Sequence, residues 1–207
     1  MNMDLFNPYV PGETDGFVFA DKQIILNADY HIQDRIPITI APGTGALDRG
    51  TILGVSTADG LWRPVLRTTV AAATEPVNPQ VIGLATGTGA MFTVGQTVAA
   101  MSATSGTVQQ LGTITAINGD NVTVATELTA ALAEGDWFYV ADGSQTAVGV
   151  LADVVFDSTS NKISNAYVAG KFVQSQLVGV DSIVISDLKA RQIPYFINDV
   201  QDNILVV

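Results

Sequence analysis

A mainly β fold is predicted for this chain of 207 residues by its side chains, its turns and its shortage of helical stretches. Thr and Val together make up roughly a fifth of the sequence, and β-branched side chains suit a pleated surface better than a helix. The pairs Asp59-Gly60 and Asn118-Gly119 each stand between short runs of alternating apolar residues, the local pattern of a β-hairpin. Helix signals are few, a short turn near residue 128 and one short helix near residue 187.

Taken in order, residues 1–35 carry Pro8, Pro11, Gly12 and Gly16 among scattered apolar and aromatic side chains, Leu5, Phe6, Tyr9, Phe17 and Phe19. That is too irregular for a packed element and reads as an extended arm. Ile36-Pro37-Ile38-Thr39-Ile40 alternates with period two, but proline has no amide to donate, which predicts an edge strand or a strand start. The runs 51–55 and 61–65 form a hairpin about Asp59-Gly60. Residues 74–90, with Pro76, Pro79 and the glycine-rich run 83–89, read as a flexible connection into a second unit. Within that unit 113–117 and 121–125 flank Asn118-Gly119-Asp120, Leu128–Ala133 reads as a short helical turn, and 137–140 as a strand. Strands are expected at 147–151 and 166–173, then a short helix over 187–192 capped by Ser186 and stopped by Pro194. The apolar end, 203–207, suits a last strand or a contact segment.

Charge narrows the function classes. Charged residues are 14% of the chain, against about 25% in an average domain. The net charge of −11 opposes binding to a phosphate backbone, so no nucleic-acid partner is expected. All nine Lys and Arg residues lie outside 68–161, a stretch that holds eight acids: Glu75, Asp120, Glu127, Glu134, Asp136, Asp142, Asp153 and Asp157. Such a segment has no internal cation to pair with, so apolar burial and backbone hydrogen bonds must stabilise it. No apolar run reaches the roughly 18 residues of a membrane span, and the first residues lack a basic stretch followed by an apolar one, so neither membrane nor signal peptide is expected.

Enzymatic chemistry finds little material. Cysteine is absent and His31 is the one histidine, which removes thiolate nucleophiles and the common zinc sites. Ser144, His31 and Asp142 make a conceivable triad, but Asp142-Gly143-Ser144 lacks the Gly-x-Ser-x-Gly elbow and precedes a strand. Asp153 and Asp157 read as solvated surface carboxylates, and the run 83–89 ends without the Gly-Lys-Ser/Thr of a phosphate loop. We therefore expect no catalytic residue, no metal and no cofactor.

Two segments carry a resemblance. Leu47-Asp48-Arg49-Gly50-Thr51-Ile52-Leu53-Gly54 is followed by Asp59-Gly60-Leu61-Trp62-Arg63-Pro64, and Asp142-Gly143-Ser144-Gln145-Thr146-Ala147-Val148-Gly149-Val150-Leu151 lies far downstream. Together they resemble the opening hairpin and the Asp-Gly-Ser-Gln segment of the lambda gpD type of head decoration proteins of tailed bacteriophages. The motif positions are Gly50, Thr51, Leu53, Gly54, Asp142, Gly143, Ser144, Gln145, Ala147, Gly149 and Leu151. Ala166–Phe172 and Ile193-Pro194-Tyr195-Phe196 continue the likeness, which covers about 47–67 and 140–196, under half of the chain.

The resemblance implies a non-enzymatic cement protein on the outer surface of the phage head, a homotrimer bound to the major capsid protein at three-fold positions. It also implies a division of the chain. Residues 1–35 would be the capsid-binding arm, 36–74 and 140–207 a split decoration domain that trimerises, and 75–139 an inserted small β-barrel-like domain on a tolerant surface loop. Leu5, Phe6, Tyr9, Phe17 and Phe19 of the arm, with Ile36, Ile38 and Ile40, are the expected capsid contacts, made by strand addition. The alternative is an adhesion module displayed on a capsid, whose inserted domain binds a host-surface or environmental glycan.

Overall fold

The hairpins predicted from the turn pairs organise two β structures in the computed structural model, which describes residues 34–156, 159–190 and 199–201. The first is a closed barrel with strand order β1-β11-β10-β2-β3. Its strands are β1 (Asp34–Ile40), β2 (Ile52–Val55), β3 (Trp62–Pro64), β10 (Gly149–Leu151) and β11 (Lys162–Ala169). The second is a curled sheet with order β4-β9-β6-β7-β8-β5. It comprises β4 (Arg67–Thr69), β5 (Gln80–Gly83), β6 (Thr97–Met101), β7 (Val108–Asn118), β8 (Asn121–Val124) and β9 (Trp137–Val140). Helix α1 (Ser182–Ala190) and a short parallel pair, β12 (Lys171–Val173) with β13 (Asp199–Gln201), complete the described residues. The fold is mainly β, as predicted.

Barrel strands are buried on both faces over part of their length. Leu53, Leu151 and Ala166 point into the barrel with Ile38, Ile40, Leu47 and Val155. Their chain neighbours Ile52, Val150 and Tyr167 point outward and pack with Phe172 and with Val184 and Leu188 of α1. Because successive side chains alternate, a helix laid over the outer face turns an amphipathic strand into a fully apolar one. That cover ends before the first half of β11, where Ile163 is 85% exposed.

The second sheet has its own core, in which Phe138, Leu111, Ile114, Val122 and Leu132 are almost wholly buried. Its edge strands approach each other through the Val70–Leu84 bridge, flanked by Ala71 N–H to Gly83 O and Ala85 N–H to Thr69 O. β7 bends to serve two neighbours, pairing with β6 through its first half and β8 through its second. Register shifts occur at both pairings, and Gly112 takes a φ of +70° at the first, a left-handed turn that side chains resist. The Asn118-Gly119-Asp120 hairpin forms as expected, with Gly119 and Asp120 as its loop.

The second sheet takes up the chain at β4 (Arg67–Thr69), ahead of residue 75. Three expectations are corrected. Leu128–Ala133 is not helical. Leu128 and Leu132 both enter the core, and Gln109 Oε1 accepts the Thr129 and Ala130 amides. The helix starts at Ser182, capped by Asp181, whose Oδ1 accepts from Ile183 N–H and Val184 N–H at 2.8 Å each; Ser186 is an exposed mid-helix residue. The glycine-rich run is pinned, not a free linker, because the Asp120 carboxylate accepts the Gly87 and Gly89 amides at 2.9 Å.

Candidate functional site

The chain leaves the barrel at Val65–Leu66 and returns at Val140–Ala141, and the two crossings are adjacent: Val140 N–H donates to Leu66 O at 3.2 Å. Around this neck the two motif segments, separated in sequence by the entire insert, become neighbours. Leu53 pairs with Gly149 and Ile52 with Val150 across β2 and β10. Gly50 N–H donates to Leu151 O, Leu151 N–H to Thr51 O, and Val148 N–H to Leu53 O, so backbone bonds join the segments along their length. Ala147 lies fully buried beneath α1.

The loop Asp142–Gln145 folds over the β2–β3 hairpin. Asp142 Oδ1 accepts from Ser144 N–H at 2.9 Å and Ser144 Oγ at 2.6 Å, and Gln145 Oε1 accepts from Gly143 N–H. Thr57 N–H reaches Asp142 O at 2.8 Å. Two of the four motif glycines are sterically required: a Cβ on Gly54 would fall 2.0 Å from Ser144 O, and one on Gly143, at φ +103°, 2.6 Å from Thr57 N. Ser144 is buried and its hydroxyl donates to Asp142, an arrangement that positions the loop.

Arg67 ties this loop to the helix and the insert, and sequence reading gave no hint of it beyond a lone cation at the edge of a base-free stretch. Its Nη1 contacts both Asp181 oxygens, at 3.0 and 3.2 Å, and Nη2 donates to Gln145 O at 2.8 Å. The guanidinium lies 6.0 and 5.8 Å from the ring centroids of Trp137 and Tyr139. Burial raises the Tyr139 hydroxyl pKa, and the Arg67 charge opposes that rise. Across the hairpin, Arg63 pairs with Asp59 and lies 3.7 Å from Asp142; its guanidinium holds the Asp59 carboxyl far below the usual carboxylate range.

Beside the neck opens a cleft of about 610 Å³ between barrel and insert. Leu47, Pro64 and Val178 line one wall and Ala90, Met91 and Val140 the other, with Asp48 also lining it. The expected contact residues are distributed differently. Ile38 and Ile40 are buried in the barrel, and Ile36 is partly buried against the same core. Pairing covers β1 along its whole length by β11 but only at Ile40 by β3, which leaves its other backbone edge unpaired by β3 over 34–39. Leu5, Phe6, Tyr9, Phe17, Phe19, His31 and Asp157 lie outside the described residues, as do 193–196 and 203–207. Asp153 is engaged by Arg35 and by Asn165 Nδ2, not merely solvated.

No group of three or more His, Cys, Asp or Glu side chains that could hold a metal occurs among the described residues. No described helix is long and apolar enough to cross a membrane. Compared with known proteins, the chain matches no family model, no curated protein and no solved structure.

Proposed function

We propose that this chain is a structural protein that acts by surface contact and carries no catalytic centre. More particularly, we read it as a capsid decoration (cement) protein of a tailed bacteriophage, bound as trimers to the major capsid protein on the outside of the expanded head. The observation that carries the reading is the pairing of the two resembling segments as β2 and β10, with Gly54 pressed against Ser144. Residues that look alike only as scattered words would have no reason to share one strand pair. The low charge content fits a surface given to contacts with other protein, and the edge of β1 that no described strand pairs over 34–39 is a part of that strand open to strand addition by the shell.

Co-sedimentation with expanded heads that lack decoration tests this. Saturable binding at three copies per three-fold position, with a gain in heat resistance of the heads, is expected; binding at a few copies per head, or none, overturns it. A second reading, adhesion through the insert, is favoured by the separate core of that unit. Retention of the whole chain on a glycan surface, lost on substitutions confined to residues 67–140, would support it.

A further inference from the structure

Two apolar features of the surface have no partner among the described residues. The first is a knob at one end of the barrel: Phe156 is 86% exposed, Ile163 85% and Val154 44%, on the part of the outer face that α1 does not cover. The second is the cleft beside the neck, where Met91 from the insert and Val178 from the barrel are themselves partly exposed and Val94 stands next to the lining. Among the described residues, no side chain lining the cleft has a buried polar atom without a hydrogen-bond partner, and Arg63, Asp142 and Ser144 in its lining are engaged with one another. An apolar protrusion suits the cleft.

We propose that the knob of one copy of this chain, Phe156 with Ile163, seats in the cleft of a second copy against Met91 and Val178. Charge selects this occupant. A chain of net charge −11 repels its own copies in general, so self-contact must fall where charge is low or complementary. The insert wall belongs to a stretch without Lys or Arg, while Asp48 on the opposite wall has no ion-pair partner among the described residues. Lys162, which borders the same patch as Phe156 and Ile163, is likewise without one among the described residues, and a second copy brings it to Asp48 in the cleft, where the other lining charges, Arg63 and Asp142, lie 3.7 Å apart. Knob and cleft are different surfaces, so each copy both gives and receives, and the rotation between copies decides whether the assembly closes. The inference rests on the homo-oligomeric part of the decoration reading and names the surfaces it uses.

The absence of cysteine makes the test direct. Met91→Cys and Ile163→Cys are both at exposed positions, and each variant should fold as the parent does. Mixed and treated with a short bismaleimide over a range of concentrations, the two variants should give a crosslinked dimer that neither gives alone. Adding Phe156→Ser to the Ile163→Cys partner should lower the yield at least fivefold. Crosslinking of Ile163→Cys to itself, no mixed product at any concentration, or a yield indifferent to Phe156→Ser overturns the proposal. Capsid binding without the mixed product would remove this interface and leave decoration standing; the mixed product without capsid binding would do the reverse.

Discussion

Gly54 sets the tightest constraint on a single position. A methyl group there would lie 2.0 Å from Ser144 O, a backbone atom that can move only if β2 and the 142–145 loop separate. Gly54→Ala should therefore cost about 4 kcal/mol or more, among the largest single-residue effects, and a urea titration should find the midpoint lowered or the transition lost. Asp120 illustrates a softer device. The Gly87 and Gly89 amides lower its carboxyl pKa, so its contribution is present above the unfolded carboxylate range and is lost as pH falls through the folded value. Asp120→Asn should lower the thermal midpoint at pH 7, and the gap to wild type should shrink steadily on acidification below about pH 4. A gap that is independent of pH would mean that the carboxylate charge is not what the two amides recognise. The glycine spacing that suggested a linker was legible; that an acid 31 residues from Gly89 would fill its amide nest was not, because only the β7–β8 turn brings them together.

At the scale of elements, hairpins were readable because their signal is local: turn residue, alternation and pairing all lie within a dozen positions. α1 was misplaced because its first turn, Ser182-Ile183-Val184-Ile185, is β-branched and has poor intrinsic helix propensity. What makes it helical is tertiary: Val184 and Leu188 pack on the outer face of the barrel, and Asp181 caps the amides while holding Arg67. Asp181→Ala removes a cap worth about 1 kcal/mol and also strands a nearly buried guanidinium, for a total of about 3 kcal/mol or more. Ser186→Ala, at the position the sequence suggested as cap, should stay within about 0.5 kcal/mol. Chemical denaturation of the two variants side by side checks the order, and equal losses would contradict it. The 128–133 segment failed differently: two leucines four apart imitate one helical face, but here both enter the sheet's core and the residues between them, Thr129 and Ala130, are held by Gln109 of β7.

For the whole molecule, the two cores make the insert and the barrel separable in principle, and the neck indicates where to cut. Replacing 68–139 by a two-residue turn keeps Arg67 and its bonds to Asp181 and Gln145, and it removes β4 together with the sheet it belongs to. That variant should melt cooperatively and, if the decoration reading holds, still bind capsids. Cutting only 76–138 would leave Val70, buried in the insert core, without cover, and that variant should aggregate more readily in light-scattering assays. Failure of the first variant to fold would mean that the barrel depends on the insert. The base-free centre spans most strands of the second sheet, whereas that sheet's first strand was hidden, since a three-residue strand such as β4 carries too little pattern to declare its sheet.

The neck also decides how the molecule carries force. With Val140 N–H bonded to Leu66 O, the insert hangs from two touching points of the chain. Tension applied to barrel strands on either side of it passes across the β2–β10 pairing, from Ile52 and Leu53 to Gly149 and Val150, without running through the insert's six strands. A shell under internal pressure that pulled on this barrel would strain the very strand pair that carries the motif residues, and the insert would ride along unloaded.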